Sequence, residues 1–341
     1  MERIRESDVR KEKVLYLQPG KVEVSVVTHF NTKATICMKK IFVDNIYEAT
    51  EIQSEFIAMA YFEHPNILSL KGASLEGNGK EITHVLIYMD YFPEGDLEKH
   101  IQGAVNSRSY FSEETVLEYL KQLVSGYSYM EKKNIAHRDI KPQNIFLSGN
   151  GKVLKIGDLG SAIKKEGNSG ATLTGTPLYL SPLLRKALSL QGLGGMAVRH
   201  NIFKSDVYSL GLTLLYMASL KPVSDLVQLD NLESRIKQRL ADLPEQYPVL
   251  RQVLQSMLEV EEQLRPDFTE LNAMVSKVNK VDTLTTQTII STSVHVFLAN
   301  CKCSICSLDS PEDQLYVFSN QMICFKCYES FMSQRHKTSK L

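Results

Sequence analysis

No eight residues constrain this chain more than the stretch from His137 to Asn144, which reads HRDIKPQN. It sets a carboxylate, Asp139, a cation, Lys141, and an amide, Asn144, at fixed offsets in a loop. A helix precedes that loop. Ser112 can cap it, its first turn is acidic, and Val116, Leu117, Leu120, Leu123, Val124 and Tyr127 share one face. Fourteen residues beyond Asn144 comes Asp158, in Ile156-Gly157-Asp158-Leu159-Gly160 at the end of a hydrophobic strand. A carboxylate freed by flanking glycines can reach a hard magnesium ion. Taken singly, Arg138, Asp139 and Lys141 would read as a solvated charged loop, and Asp-Leu-Gly as a turn.

Upstream, Val22, Val24 and Val26 alternate as in a half-buried strand, and ATICMKKIF reads as a second strand carrying Lys39. Between Ile46 and Phe62 apolar residues recur at spacings of three and four, predicting an amphipathic helix that carries Glu55 and stops at His64-Pro65. After the strand HVLIYM, the turn residues of YFPEGDL mark a junction between a strand-rich part and a helix-rich part. Residues 206–220, with Asp206 at the start, and 249–277, with Asp267 as a cap within, read as helices. Residues 184–201 read as a glycine-containing loop.

These motifs, in this order, resemble the eukaryotic-type serine/threonine protein kinases from about Leu15 to Val278. HRDIKPQN is similar to the catalytic loop, IGDLG to the metal-binding DFG segment, and ICMK to the family's V-A-I-K. TLTGTPLYLSP, KSDVYSLG and LRP match later landmarks. HRDIKPQNIFL, KIGDLG and GTPLYLSP together look most like the NIMA-related group. The resemblance implies an α+β, bilobal kinase fold with a strand-rich N-lobe over 14–90 and a helical C-lobe over 91–279. It implies ATP and Mg2+ as cofactors, with Asp139 accepting the substrate hydroxyl's proton, Lys141 on the transferred phosphoryl group, and Asn144 and Asp158 on magnesium. Lys39 would contact the α- and β-phosphates and pair with Glu55. Adenine would meet backbone groups of Asp90 and Phe92, after a gatekeeper Met89. Thr172 would be the activating phosphosite, facing Arg138.

Two landmarks differ from the family's pattern. The glycine-rich loop is absent, since Leu15 to Val27 offers only Gly20; side chains there should loosen phosphate coverage. Ser181-Pro182-Leu183 stands where the family has A-P-E, so Arg265 lacks its glutamate and should find another carboxylate, or water. Both differences keep a rival reading open, a pseudokinase scaffold acting as an interaction protein.

Five of the six cysteines lie between Cys301 and Cys327. Cys303 and Cys306 form one Cys-x2-Cys pair and Cys324 and Cys327 a second, with 17 residues between them, which matches four-thiolate tetrahedral zinc. A structural Zn2+ would supply folding free energy to a zinc-ribbon or treble-clef-like module over 297–335 that its small core cannot. Redox cysteines, disulfides and a catalytic metal are the alternatives; Cys301 could replace Cys303, and His295 and His336 read as ordinary polar residues. A charged segment over 1–13, a Thr/Ser-rich linker over 280–296 and a basic tail over 336–341 complete the chain.

Lys plus Arg and Asp plus Glu both total 39, so no cationic excess points to nucleic acid. The N-terminus has no apolar signal core, and no uncharged run suits a bilayer. An intracellular, cytoplasmic protein is expected, with protein substrates, a protein partner for the zinc module, and no membrane.

Overall fold

The structure is a computed structural model. It describes residues 4–59, 62–78, 81–165, 172–191, 198–278, 315–318 and 321–324. Contacts divide it into two units, Met1–Val275 and Ser276–Leu341.

The first unit begins with three antiparallel strands, β1 (Val9–Gln18), β2 (Val22–His29) and β3 (Thr35–Phe42). Gly20, with φ of 70°, turns β1 into β2 in a conformation that a residue with a Cβ adopts only under strain. Helix α1 (Ile46–Met59) follows, then β4 (Leu70–Asn78) and β5 (Glu81–Asp90), giving a five-stranded sheet in the order β1-β2-β3-β5-β4. Strand alternation explains how both faces of β5 are buried. Val85 and Ile87 pack with Ala49 and Phe56 of α1, while Leu86 and Tyr88 pack with Val27, Ile36, Met38 and Ile4 on the other face.

The helical part comprises α2 (Leu97–Ser107), α3 (Glu113–Lys132), α4 (Pro182–Gln191), α5 (Ile202–Ser219), α6 (Leu232–Ala241), α7 (Pro248–Met257) and α8 (Phe268–Val278). Between α3 and α4 run four short strands, β6 (Ile135–Ala136), β7 (Ile145–Ser148), β8 (Val153–Ile156) and β9 (Ile163–Lys164), paired β6 with β9 and β7 with β8. Ser112 caps α3 as its sequence predicts, its hydroxyl accepting from the Thr115 amide at 3.1 Å, a device worth about 1 kcal/mol. Nearly every residue of α5 is buried, so it forms the centre on which the other helices pack. None of the described helices is long and apolar enough to cross a membrane.

Several expectations need correction. Residues 182–191 are helical, where a loop was expected from position 184. Helix α5 begins at Ile202 with Asn201 as its cap, which puts Asp206 inside the helix. The stretch 249–277 is two helices, separated between Met257 and Phe268, and Asp267 caps the second by accepting from the Glu270 amide. Arg265, 1% exposed, is satisfied by the carbonyls of Glu259, Val260 and Lys204 and by the ring of Tyr208 at 4.8 Å. Among the described residues no carboxylate forms an ion pair with it. Five hydrogen-bond donors on a planar fork allow carbonyls to replace the expected glutamate.

In the second unit, β10 (Leu315–Phe318) pairs antiparallel with β11 (Gln321–Cys324), Leu315 opposite Cys324. Cys303, Cys306 and Cys327, and the side chain of Cys324, lie outside the described residues.

Candidate active site

Strand β3, α1 and the β5 terminus form one wall of a cleft of about 980 Å³; the loop after β6, β7 and the segment after β8 form the other. Lys39, Asp90, Phe92, Lys141, Asn144 and Asp158 all line it. Its size lies in the range of small-molecule sites.

Lys39 projects from β3 and its Nζ lies 2.8 Å from Asp158 Oδ1. Burial alone would raise the Asp158 pKa, yet the Lys39 charge and hydrogen bond bring it below the usual carboxylate value. Asp158 has φ of 48°, a left-handed conformation that aspartate tolerates and that aims its carboxylate back into the cleft. Glu55 lies on α1; its side chain is outside the described ones.

The loop after β6 is held from below. The backbone amides of His137 and Arg138 donate to Asp206 Oδ2 and Oδ1 at 2.7 and 2.9 Å, and the His137 ring meets the Gly157 carbonyl at 2.9 Å. Asp206 is 3% exposed, and burial pushes its pKa up to about 7 against the pull of those two amides. Arg138 is also left-handed, with φ of 66°, so the pinned loop turns sharply just before Asp139.

Asp139 receives four donors. The Thr176 amide and hydroxyl reach Oδ1 at 2.9 and 2.7 Å, while Asn144 Nδ2 and Lys141 Nζ reach Oδ2 at 3.0 and 2.7 Å. Burial would raise its pKa, but Lys141, Thr176 and Asn144 more than offset this and keep it ionised. Lys141 also donates to the Thr176 hydroxyl at 2.7 Å, which closes a triangle of carboxylate, ammonium and hydroxyl. Thr176 can come this close because of Gly175, where φ is 105° and an added Cβ would collide with the Arg138 carbonyl oxygen. Arg138 itself donates to the Ser161 carbonyl at 2.7 Å and to Thr172 Oγ1 at 3.4 Å.

Asp90 ends β5 with its carboxylate turned to Lys71 at 2.8 Å, and the Phe92 ring stacks on Phe146 at 5.5 Å. Cys37, on the same strand as Lys39, lines the cleft with a thiol that burial raises to about 11, a neutral apolar surface. Leu15 and Tyr16 of β1 border the cleft.

An ionised carboxylate beside an open face, two lysines, an amide and a second carboxylate thus converge from separate elements. The family model of the protein kinase domain matches residues 20–280. The chain belongs to the protein kinase family. Among the relatives of this kinase domain, the zebrafish (Danio rerio) serine/threonine-protein kinase Nek8 is 31% identical over 245 residues, covering 70% of this chain and 33% of that protein. Mouse (Mus musculus) Nek5 is 32% identical over 238 residues, 69% of this chain and 35% of that protein. The probable serine/threonine-protein kinase nek2 of Dictyostelium discoideum is 30% identical over 263 residues, 74% of this chain and 59% of that protein. The chain therefore spans about a third of the length of the first two relatives and 59% of the third.

For two residues of this kinase site the contacts made in the structure are not apparent from the sequence. Asp206 carries a faint signal, a lone carboxylate inside the apolar run of α5, since a buried charge there demands dedicated donors. Thr176 lies within TLTGTPLYLSP, whose residue types do not show that it bonds both Asp139 and Lys141.

Proposed function

We propose that the protein transfers the γ-phosphate of ATP to serine or threonine hydroxyls of protein substrates. The observation that carries this is the Asp139 carboxylate, kept ionised by Lys141, Thr176 and Asn144 in a cleft that also holds Lys39 and Asp158. ATP would lie with adenine between Cys37 and Phe146, against the backbone of Asp90 and Phe92, and its phosphates toward Lys39. Asn144 and Asp158 are hard oxygen donors suited to magnesium, which would bridge phosphate oxygens and neutralise developing charge. Asp139 would orient the substrate hydroxyl and accept its proton, while Lys141 stabilises the transferred group. Glu55, on α1, would take Lys39 when nucleotide displaces the Asp158 contact.

Purified protein should label a generic basic protein from γ-labelled ATP, and Asp139→Asn should remove that labelling. Equal labelling by the two proteins refutes catalysis by Asp139. No transfer by either would favour the rival reading, a pseudokinase scaffold acting as an interaction protein, for which the missing glycine-rich loop and Ser181-Pro182-Leu183 in place of A-P-E are the motive.

For Cys303, Cys306, Cys324 and Cys327 we propose a structural four-thiolate zinc site that docks a protein partner. Its support is the spacing of the two pairs and the end of β11 at Cys324, where the chain leaves a hairpin.

A further inference from the structure

We infer that Arg185 is a positioning residue for the protein substrate, holding the segment Thr176–Leu180 beside Asp139; this rests on the kinase reading above. Arg185 projects from α4 into the interior and is 5% exposed. Its guanidinium donates to the Leu178 carbonyl at 3.1 Å and to the Leu226 carbonyl, and lies 5.7 Å from the Tyr208 ring. Burial lowers its pKa, and its Nε has no hydrogen-bond partner among the described residues, so the two carbonyl contacts are what hold a guanidinium that is costly to bury.

The geometry it fixes is that of the segment against which a substrate must lie. Thr176 bonds Asp139 Oδ1 through both amide and hydroxyl, so a hydroxyl approaching Asp139 passes along Thr176–Leu180. That segment has three described anchors. Thr176 is tied to Asp139 and Lys141, the Tyr179 carbonyl accepts from Ser209 Oγ at 2.8 Å, and the Leu178 carbonyl accepts from Arg185. Leu178 lines the cleft together with Thr176 and Tyr179, so the carbonyl that Arg185 grips belongs to a residue that faces it. Arg185 and Arg265 share the ring of Tyr208, at 5.7 and 4.8 Å. With leucine at position 183, where an ion-paired glutamate would stand, this pair of cations on one ring joins the segment to α5.

Arg185→Met keeps roughly the length of the side chain and removes its donors, whereas Arg185→Lys keeps the charge and donors on a single nitrogen and loses the planar fork. The KM for a basic peptide substrate should rise about tenfold in Arg185→Met, the share of one charge-assisted hydrogen bond, and less in Arg185→Lys, with the KM for ATP within about twofold of wild type. A thermal melt establishes that each variant is folded; if the methionine variant is not, the lysine variant carries the comparison. A peptide KM unchanged in the folded variants, or an ATP KM that rises as much, overturns the inference. If the wild type itself transfers no phosphate, the kinase reading fails separately. Amide hydrogen exchange over 176–181 then decides: faster exchange there in Arg185→Met, with α3 unchanged, supports the anchor, and equal exchange overturns it.

Discussion

Replacing Thr176 by valine preserves side-chain volume and branching and removes one hydroxyl. That hydroxyl lies 2.7 Å from Asp139 Oδ1 and 2.7 Å from Lys141 Nζ. Asp139 Oδ1 would keep the Thr176 amide at 2.9 Å, and Lys141 would keep Asp139 Oδ2 at 2.7 Å, so neither group is orphaned. The loss is therefore close to one hydrogen bond to an ion, about 2 kcal/mol, which as lost transition-state orientation lowers kcat by roughly 30-fold. A second readout follows from protonation. Burial raises the Asp139 pKa and the Thr176 hydrogen bond helps lower it, so Thr176→Val should raise it. A general base works deprotonated, and its rate is lost as pH falls through its pKa, so the acid limb of the kcat profile should move to higher pH. Steady-state transfer from γ-labelled ATP to a basic peptide, repeated across pH, measures both. A kcat within twofold of wild type together with an unmoved acid limb would refute the role given to Thr176.

Asp206 makes stability depend on pH. Its folded pKa of about 7 lies above the ordinary value of 3.8, so the folded state holds a proton that the unfolded chain has released. The contribution is fully present below the unfolded pKa and is lost as pH rises to about 7; Asp206→Asn, which cannot titrate, should flatten urea-unfolding stability over that interval, and an equal pH slope in both proteins would contradict it. For the proposed zinc site, metal analysis of the purified chain should find about one zinc per molecule, removed by a strong chelator with unfolding of the C-terminal unit alone. Absence of zinc from protein prepared with the metal present would end that proposal.

The chemistry of the cleft was legible where it is local. Asp139, Lys141 and Asn144 lie in one loop, and Asp158 lies one hairpin away, so their residue types and spacing carry the arrangement. Lys39 was legible from its strand and from the resemblance. Asp206 was not, because it serves two backbone amides 69 and 68 residues earlier, and an amide has no residue type to mark it. Arg265 was expected to need a carboxylate for the same reason: its partners are carbonyls, which every residue owns. The stretch read as a loop from 184 is helical through Gln191, where Pro182 opens the helix and Leu184, Ala187 and Leu188 share its inner face, a signal that the neighbouring glycines in the sequence obscured. The apparent single helix over 249–277 is two: α7 ends at Met257, and Pro266, whose preceding residue resists helical geometry, lies just ahead of α8.

Calorimetric titration with ATP, with and without magnesium, tests the convergence of Lys39, Asn144 and Asp158 on one set of phosphates most directly. Saturable binding that needs magnesium and weakens at least about tenfold in Asp158→Asn is the predicted result, the loss of one ionic metal ligand. No binding by the wild-type protein, or the same affinity in Asp158→Asn, would contradict the account.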